Sequence, residues 1–450
     1  MRFPIFMARG ALAGLVACAF VAPASAALPI QKWQQASGAQ VWLVESPSLP
    51  MVDVEIDFDA GDRRDPADKS GLAGVTADMT SKGIAARDGE PALDENQLGE
   101  AWADLGASFG GGASLDRMSY SLRSLTYPDL LDKAVKLAAR ELGEPSFPDT
   151  VWQRERQRMV ASIRESNTRP GTVAARAFGT AVYGGHPYGY DTTEESITRI
   201  TVQDMRSFYG VILPCRAKVS IVGAVTRPQA DQIAATLLSR LPATRCEPLP
   251  PVGEVPALTA AAERNIPFAS AQAHVLIGQP GYKRSDPDFF PLLLGNYILG
   301  GGGFVSRLSE EVRQKRGLSY SVSSYFAPGL HAGAFTLGLQ TRPDQAAQAV
   351  QVSRDVLRRF VAEGPTEAEL KAAKDFMIGG FALRIDSNRK LVENLANIAW
   401  YDLPLDYLDT WTKQVEKVTA AQIKSAFARK VQPDRMVTVV VGGDVASARQ

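Results

Sequence analysis

Histidine is the side chain most able to bind a catalytic metal, and this chain has only three, His186, His274 and His331. A zinc site built on one helix needs two imidazoles one turn apart, with a glutamate between them as general base. No two of the histidines lie within one helical turn, so the sequence contains no such pair. His274 lies inside an apolar strand and is expected to be a core or edge residue. His331 begins a strand and fits either role.

Two cysteines follow the N-terminal segment, and without a nearby histidine they cannot build a zinc site. In an exported protein two thiols favour a disulfide. Cys215 precedes the apolar strand AKVSIVGAV, and Cys246 follows the helix RPQADQIAATLLSRLP. A helix that returns antiparallel to its strand brings the two ends together. We therefore predict a disulfide, with two buried free thiols as the alternative.

Other catalytic arrangements do not stand out. The sequence offers no Ser/His/Asp triad, no nucleophile elbow and no pair of carboxylates placed for acid–base catalysis. The glycine run 300–303 is not a phosphate loop, because no Lys-Ser or Lys-Thr follows it and no strand leads into it. A flexible turn is the better interpretation. An independent enzyme with unrelated chemistry therefore has little support.

The first residues have the pattern of a cleavable signal peptide. Arg2 and Arg9 precede the apolar run ALAGLVACAFVA, and residues 24–26, Ala-Ser-Ala, form a small-residue cleavage site. We expect export to a bacterial periplasm and no later transmembrane helix. Lys plus Arg and Asp plus Glu number 49 each, so neither nucleic acid nor a membrane surface is an expected partner.

The sequence repeats itself at an offset of a little under half the chain. ITRITVQDMRSFYGVILPCRAKVSIVGAV from Ile197 matches VEKVTAAQIKSAFARKVQPDRMVTVVVGGDV from Val415, each with a helix, a turn containing Pro and a strand ending in Gly. YSLRSLTYPDL from Tyr120 matches FTLGLQTRPDQ from Phe335. This period is far too long for a solenoid, so the copies are domain-sized halves.

Each half mixes strands of alternating polarity, such as MVDVEIDFDAG, with long amphipathic helices, such as YPDLLDKAVKLAARELG. We predict an α+β fold of two homologous halves, each a mainly antiparallel sheet covered by helices. The predicted boundaries are 1–26 for the signal peptide, 27–245 for the N-terminal half, 246–264 for a Pro-rich linker and 265–450 for the C-terminal half.

The segment GLAGVTADMTSKG predicts a short helix with Ser70 as its N-cap. Its apolar face is Leu72, Val75 and Met79. The run from Val52 to Gly83 resembles the N-terminal part of the pitrilysin and insulinase family of zinc peptidases, which includes the mitochondrial processing peptidases. The resemblance continues in GASFGGGASLDRMSYSLRSL, in HPYGYDTTEESITRITVQDMRSFY and in the second half. His186 matches a turn of that family and is expected to be structural.

In that family the helix carries H-x-x-E-H, which supplies two zinc ligands and the general base. Here the three positions are Gly74, Ala77 and Asp78. Glycine and alanine offer no side-chain ligand and no base, and Asp78 alone could not hold zinc. The family's third ligand is a glutamate that aligns best with Ser162 in ERQRMVASIRES, although Glu165 lies one turn on. We therefore predict that this chain binds no catalytic zinc and no other cofactor.

The stretch GGGGFVSRLSEEVRQKRGLSYSVSS resembles the family's C-terminal signature, in which an Arg and a Tyr face the zinc across a central cavity. The matching residues are Arg313 and Tyr320. The resemblance implies that they position substrate and stabilise the oxyanion, and that the two halves face each other across a cavity. A solvated helix-face arginine and a half-buried strand tyrosine are the alternative. The resemblance also implies a substrate-binding edge strand at Gly110, Gly111 and Gly112, where a simple bulge is the alternative.

Some members of the family are heterodimers in which only one subunit carries zinc. By that resemblance, the chain is expected to be the zinc-free subunit of a periplasmic metallopeptidase that cleaves peptides. A paralogous H-x-x-E-H subunit would bring the zinc and the general base. Arg313 and Tyr320 would then complete the partner's site or be relics. The alternative function is a non-catalytic peptide-binding or assembly protein descended from the peptidase.

Overall fold

The structure is a computed structural model that describes residues 29–443, and the predicted signal peptide, 1–26, lies outside that range. None of the helices in this range combines the length and the apolar character needed to cross a membrane.

The N-terminal half contains one large sheet of six strands and a small sheet of two strands. Its strands are β1 (Gln31–Gln34), β2 (Gln40–Glu45), β3 (Met51–Phe58), β4 (Gly83–Ile84), β5 (Leu93–Asp94), β6 (Ser108–Ala113), β7 (Met118–Leu125) and β8 (Lys218–Gly223). Its helices are α1 (Leu72–Thr80), α2 (Glu95–Leu105), α3 (Pro128–Gly143), α4 (Asp149–Ser166), α5 (Pro170–Tyr183), α6 (Glu194–Arg199), α7 (Val202–Tyr209) and α8 (Arg227–Leu238). The sheet order is β1-β2-β8-β3-β7-β6, and only β2 and β8 pair in parallel.

The C-terminal half repeats this plan. Its strands are β9 (Ala262–Ile266), β10 (Ala273–Tyr282), β11 (Ser321–Phe326), β12 (Gly333–Thr341) and β13 (Val437–Val441). Its helices are α9 (Phe289–Asn296), α10 (Ala346–Glu363), α11 (Glu367–Gly379), α12 (Asn388–Trp400), α13 (Tyr407–Lys417) and α14 (Ala420–Lys430). The sheet order is β11-β12-β10-β13-β9, and again one pair, β13 with β9, is parallel. The predicted α+β class with two homologous halves is confirmed.

The connection between the halves enters the second sheet earlier than the sequence suggested. β9 begins at Ala262, inside the segment 246–264 that was predicted to be linker, and it pairs with β13. The C-terminal sheet therefore starts within that segment.

Each sheet packs its own helices on one face. Along β3 the side chains alternate, as a strand with one face on a core requires. The residues that face the N-terminal core are Val52, Val54, Ile56 and Phe58. The C-terminal core is formed in the same way by alternate residues of β10 and β12, which are Val275, Ile277, Phe335, Leu337 and Leu339.

The other face of each sheet is covered by a helix from the opposite half. Helix α5 packs on β10 and β13, and helix α12 packs on β8 and β3. In the first contact Phe178 lies among the valines of β13, and in the second Leu395 lies against Trp42 and Val222. The two halves therefore pack directly against each other through these helices, where the resemblance implied a cavity. These second faces are partly apolar, and each half buries its own against the other's helix.

Polar contacts fix helix α12 on the N-terminal sheet. The Lys218 ammonium donates to the carbonyls of Ala399 at 2.7 Å and Trp400 at 3.2 Å, at the end of the helix where such groups lack partners. Arg117 joins Asn397 of α12, at 3.1 Å, to the buried Asp57 of β3, at 3.0 Å. The two halves are thus held together by matched charges as well as by apolar packing.

Candidate functional site

Helix α1 carries the positions that correspond to the zinc motif, and its start is fixed from a distance. The predicted N-cap Ser70 is wrong, because the cap position belongs to Gly71, whose φ of +98° lies in the left-handed region. The carboxylate of Asp65 accepts the N–H groups of Gly71 at 2.8 Å and of Ala73 at 2.9 Å. Burial raises the pKa of Asp65 to about 7, although these N–H groups oppose the shift.

Of the three motif positions, Ala77 is packed, Gly74 carries no side chain and Asp78 is exposed. Ala77 is fully buried, whereas a Cβ placed on Gly74 would meet no atom within 4 Å. Partial burial raises the pKa of Asp78, an effect that Lys82 opposes and Glu155 reinforces. The predicted apolar face of α1 is confirmed, since its members Leu72, Val75 and Met79 are buried. Helix α1 therefore packs in the core, but its motif positions do not provide a set of zinc ligands.

Helix α4 carries the residues that are candidates for the third ligand position. Ser162 is exposed, and the alternative Glu165 pairs with Arg169 at the surface. The α4 carboxylate that acts on Asp78 is Glu155, two helical turns before Ser162. Glu155 is therefore the α4 carboxylate whose charge reaches the motif positions of α1, and it is a further candidate for the third ligand position. Glu155 is the first glutamate of the stretch ERQRMVASIRES and lies seven residues before Ser162.

Arginines neutralise this carboxylate. Glu155 pairs with Arg154 at 2.8 Å and with Arg158 at 3.0 Å, and Arg154 also binds Glu95 at 2.7 Å. Positive charge at this site thus comes from guanidinium groups. Within residues 29–443, no three His, Cys, Asp or Glu side chains are grouped so that they could hold a metal ion.

Two of the histidines, His186 and His331, contact the segment that connects the halves. His186 places Nε2 at 3.0 Å from the carbonyl of Gly253, and its Nδ1 accepts the N–H of Tyr188 at 3.1 Å. His331 lies with its ring 5.2 Å from that of His186, and its Nδ1 is 3.4 Å from the carboxylate of Glu254. These contacts give His186 and His331 structural roles that hold the linker. His274 lies against Gly171 at the start of α5.

The predicted edge strand is the outermost strand of the N-terminal sheet. β6 pairs only with β7 in that sheet, and helix α1 packs beside it. A Cβ on Gly111 would come within 2.4 Å of the Tyr120 ring, so only glycine fits there. A Cβ on Gly110 or Gly112 would meet no atom within 4 Å, so the face of β6 at these two residues is open. The outer edge of β6 thus offers backbone groups to an extended chain.

The structure brings Arg313 and Tyr320 together. The guanidinium carbon of Arg313 lies 4.5 Å from the centre of the Tyr320 ring and 4.3 Å from that of Phe304. Arg313 belongs to a π-helix, Ser309–Gln314, a geometry found frequently at functional sites. The pair lies in the C-terminal half, and the motif positions of α1 lie in the N-terminal half.

Phe304 is the neighbour of this pair that the sequence did not single out. It follows the glycine run 300–303, which we interpreted only as a turn. Its carbonyl accepts a hydrogen bond from the Gln314 side chain at 2.8 Å, which ties the turn to the helix of Arg313. A bulky apolar residue directly after a glycine turn was the signal that could have found it.

The structure joins Cys215 and Cys246 in a disulfide, with Cα atoms 6.3 Å apart. The bond attaches the beginning of the linker to the start of β8, as the antiparallel return of helix α8 suggested. A cross-link of this kind limits the freedom of the unfolded chain and stabilises the fold.

Two family models match the chain. Residues 40–195 match the model described as Insulinase (Peptidase family M16), and residues 199–377 match the one described as Peptidase M16 inactive domain. A curated relative, the non-peptidase homolog YmxG of Helicobacter pylori, is 26% identical over 373 residues, which cover 76% of this chain and 83% of the relative.

Two solved structures show the same architecture. The periplasmic protease PqqL of Escherichia coli has a TM-score of 0.78 at 17% identity, over 92% of this chain but 46% of its own. The peptidase M16 inactive domain of Pseudomonas fluorescens has a TM-score of 0.86 at 34% identity, over 92% of this chain and 98% of that one. Sequence and structure agree over nearly the whole described chain, which is an inactive member of peptidase family M16.

Proposed function

We propose that this chain is the zinc-free subunit of a heterodimeric periplasmic metallopeptidase. A paralogous partner with an intact H-x-x-E-H helix supplies the zinc and the general base. This chain supplies a peptide-binding surface together with Arg313 and Tyr320. The periplasmic location rests on the signal-peptide pattern at 1–26.

The observation that carries the proposal is the pair of an exposed tyrosine and a half-buried arginine in the C-terminal half. Tyr320 is 79% exposed, with its ring against the guanidinium of Arg313. A hydroxyl and a guanidinium held at a surface are donors for the charge that develops on a peptide carbonyl during attack. Within this chain α1 does not supply a zinc site, because Gly74 and Ala77 offer neither a base nor a ligand and Asp78 alone cannot hold zinc. In the proposed complex these donors act in a site that the other subunit completes.

The size of the chain supports a partner. It corresponds to 46% of the Escherichia coli protease, so that protein contains room for a second unit of this size. In the proposed complex a separate subunit takes that place. The edge strand β6 provides a second surface, where an extended peptide can add as a strand.

A second candidate is a peptide-binding or assembly protein without any peptidase role. The Helicobacter pylori relative, which is named a non-peptidase homolog, favours it. The same surfaces would then hold a peptide without cleaving it.

The test is purification of the chain from its native source under mild conditions. We expect a paralogous H-x-x-E-H protein to co-purify, with about one zinc per heterodimer and peptide cleavage that a chelator abolishes. A chain that purifies alone and gains no cleavage when the paralogue is added would support the second candidate.

A further inference from the structure

Four apolar side chains protrude from one part of the C-terminal half. Their exposed fractions are 64% for Phe304, 77% for Val305, 79% for Tyr320 and 61% for Phe376. Single exposed apolar residues are ordinary, but a contiguous group of large ones marks a binding site. With Tyr297, these residues are called the aromatic surface here.

Ring contacts make the aromatic surface continuous. Phe376 stacks on Tyr297 with ring centres 5.0 Å apart. A Cβ on Gly302 would lie 3.2 Å from the Tyr297 ring, so that ring lies directly against the turn that carries Phe304. Arg313 then bridges Phe304 to Tyr320. The surface therefore runs from helix α11, over the glycine turn, to the start of β11.

A positive charge lies within this surface. Among residues 29–443, Arg313 forms no ion pair, whereas the neighbouring Lys315 and Arg316 are both paired with Glu311. The two flanking rings orient the guanidinium without neutralising it. An arginine held in this way binds a carboxylate well, because its planar donors match the two oxygens.

The surface is also fixed in advance of binding. The Gln314 side chain holds the carbonyl of Phe304 at 2.8 Å, and Gly303 takes the left-handed φ of +61° that the turn requires. Side chains that are already ordered lose less entropy when a ligand binds.

We propose that the aromatic surface selects peptides in which a bulky apolar side chain stands next to an aspartate or glutamate. The apolar side chain packs on Phe304 and Val305, and the acidic side chain pairs with Arg313. When such a peptide is bound, the Tyr320 hydroxyl remains as the donor to the reacting carbonyl. The inference rests on the proposed function, because it names the substrate class of that same site. A peptide fits the area better than a folded partner does, since a stable protein interface needs about 20–30 residues on each side.

The test uses the purified chain alone, in a chelator, with fluorescein-labelled peptides and fluorescence anisotropy. Three amide-capped peptides differ only at the centre, which is Phe-Asp, Phe-Asn or Ala-Asp. A fourth peptide ends in Phe with a free carboxylate. We expect Phe-Asp to bind about tenfold more tightly than either internal analogue, because each loses one of the two contacts. Tighter binding of the free carboxylate would overturn the assignment to an acidic side chain.

Two variants assign the contacts. Arg313→Gln should erase the preference for Phe-Asp over Phe-Asn, and Phe304→Ala should erase the preference for Phe-Asp over Ala-Asp. Leu49→Ala removes an equally exposed apolar side chain, 55% exposed, from the N-terminal half and should leave all affinities unchanged. Preferences that survive both variants would overturn the proposal.

The partner subunit is absent from this measurement, so its outcome is separate from that of the proposed function. Selective binding without any co-purifying peptidase would leave the aromatic surface established and reject the heterodimer. Cleavage by a heterodimer whose free subunit shows no selectivity would establish the heterodimer and reject the peptide selectivity of the aromatic surface.

Discussion

Helix α1 and the π-helix of Arg313 correspond to the two signatures of the family, and they differ in what their side chains face. On α1, Ala77 is buried and Gly74 leaves an open space, so the helix contributes packing alone. At the π-helix, Arg313 lies between two rings that are exposed to solvent. Core packing explains the first region completely. It does not explain the second, because exposed rings add little stability and favour association. This difference is the reason for proposing a binding role for the region around Arg313.

The largest effect is expected from restoring metal ligands to α1. In the double variant Gly74→His with Asp78→His, two imidazoles stand at i and i+4, and Gly74 has space for a side chain. With Glu155, which must exchange its arginine partners for the metal, they form the donor set of a catalytic zinc site, so we expect about one bound zinc per chain after dialysis. The wild type should retain none. Metal analysis by mass spectrometry gives the result.

The control separates the two assignments of the third ligand. Adding Glu155→Gln to the double variant should weaken zinc binding at least about tenfold, whereas Ser162→Ala should have no effect. Zinc binding that is unchanged by Glu155→Gln would contradict Glu155 as the third ligand position and favour the alignment with Ser162.

A matched pair of truncations tests whether packing distinguishes the two regions. Met79→Ala on α1 removes a buried side chain and should lower the free energy of unfolding by about 2–5 kcal/mol. Phe304→Ala removes a larger but exposed side chain and should change it by less than about 0.5 kcal/mol. Urea denaturation followed by circular dichroism measures both. A large loss for Phe304→Ala would mean that the aromatic surface is structural.

The N-terminal region should also make stability depend on pH. Glu141 on α3 is 1% exposed, and its carboxyl accepts one hydrogen bond, from Trp102 at 2.8 Å. Burial raises its pKa from 4.5 to about 7. The folded state therefore keeps a proton that the unfolded state loses, so this stabilisation is complete below pH 4.5 and lost as the pH rises to about 7.

Glu141→Gln should remove that loss, which is on the order of 3 kcal/mol. The variant should thus gain stability relative to the wild type between pH 5 and pH 8, as measured by urea denaturation at each pH. A difference between the two proteins that does not change with pH would contradict the assignment. Phe304→Ala serves as the comparison, since it removes no titrating group.

The smallest effect is expected on the edge strand. Gly111→Ala places a methyl group within 2.4 Å of the Tyr120 ring and should cost about 1–3 kcal/mol of stability. Gly110→Ala meets no atom within 4 Å and should change stability by less than about 0.5 kcal/mol. Thermal unfolding of the two variants side by side decides the point. Equal losses would mean that β6 is held differently from this description.

Local patterns predicted much of this molecule. The matched segments from Tyr120 and Phe335 lie in β7 and β12, at the same place in the two sheets. The ends of β8 and α8 predicted the pairing of Cys215 with Cys246. These features depend on periodicity and on chain direction, which a sequence shows directly.

Other features depend on which surface meets which. The amphipathic pattern of α5 and α12 does not say that each covers the sheet of the opposite half. Asp65 caps α1 from six residues before Gly71, where no capping rule based on neighbouring residues applies. Glu155 and Ser162 lie on one helix seven residues apart, and only the packing of α4 shows which of them acts on Asp78. The exposure of Phe304 is likewise invisible in the sequence.

The most direct test of the central claim is the turnover of the heterodimer with Tyr320→Phe. The control is Tyr325→Phe, which removes the hydroxyl of another exposed tyrosine in the same half, 52% exposed. We predict that Tyr320→Phe lowers kcat about a hundredfold, with zinc content unchanged, and that Tyr325→Phe has no effect. Full activity with Tyr320→Phe would contradict the claim that this chain completes its partner's catalytic site.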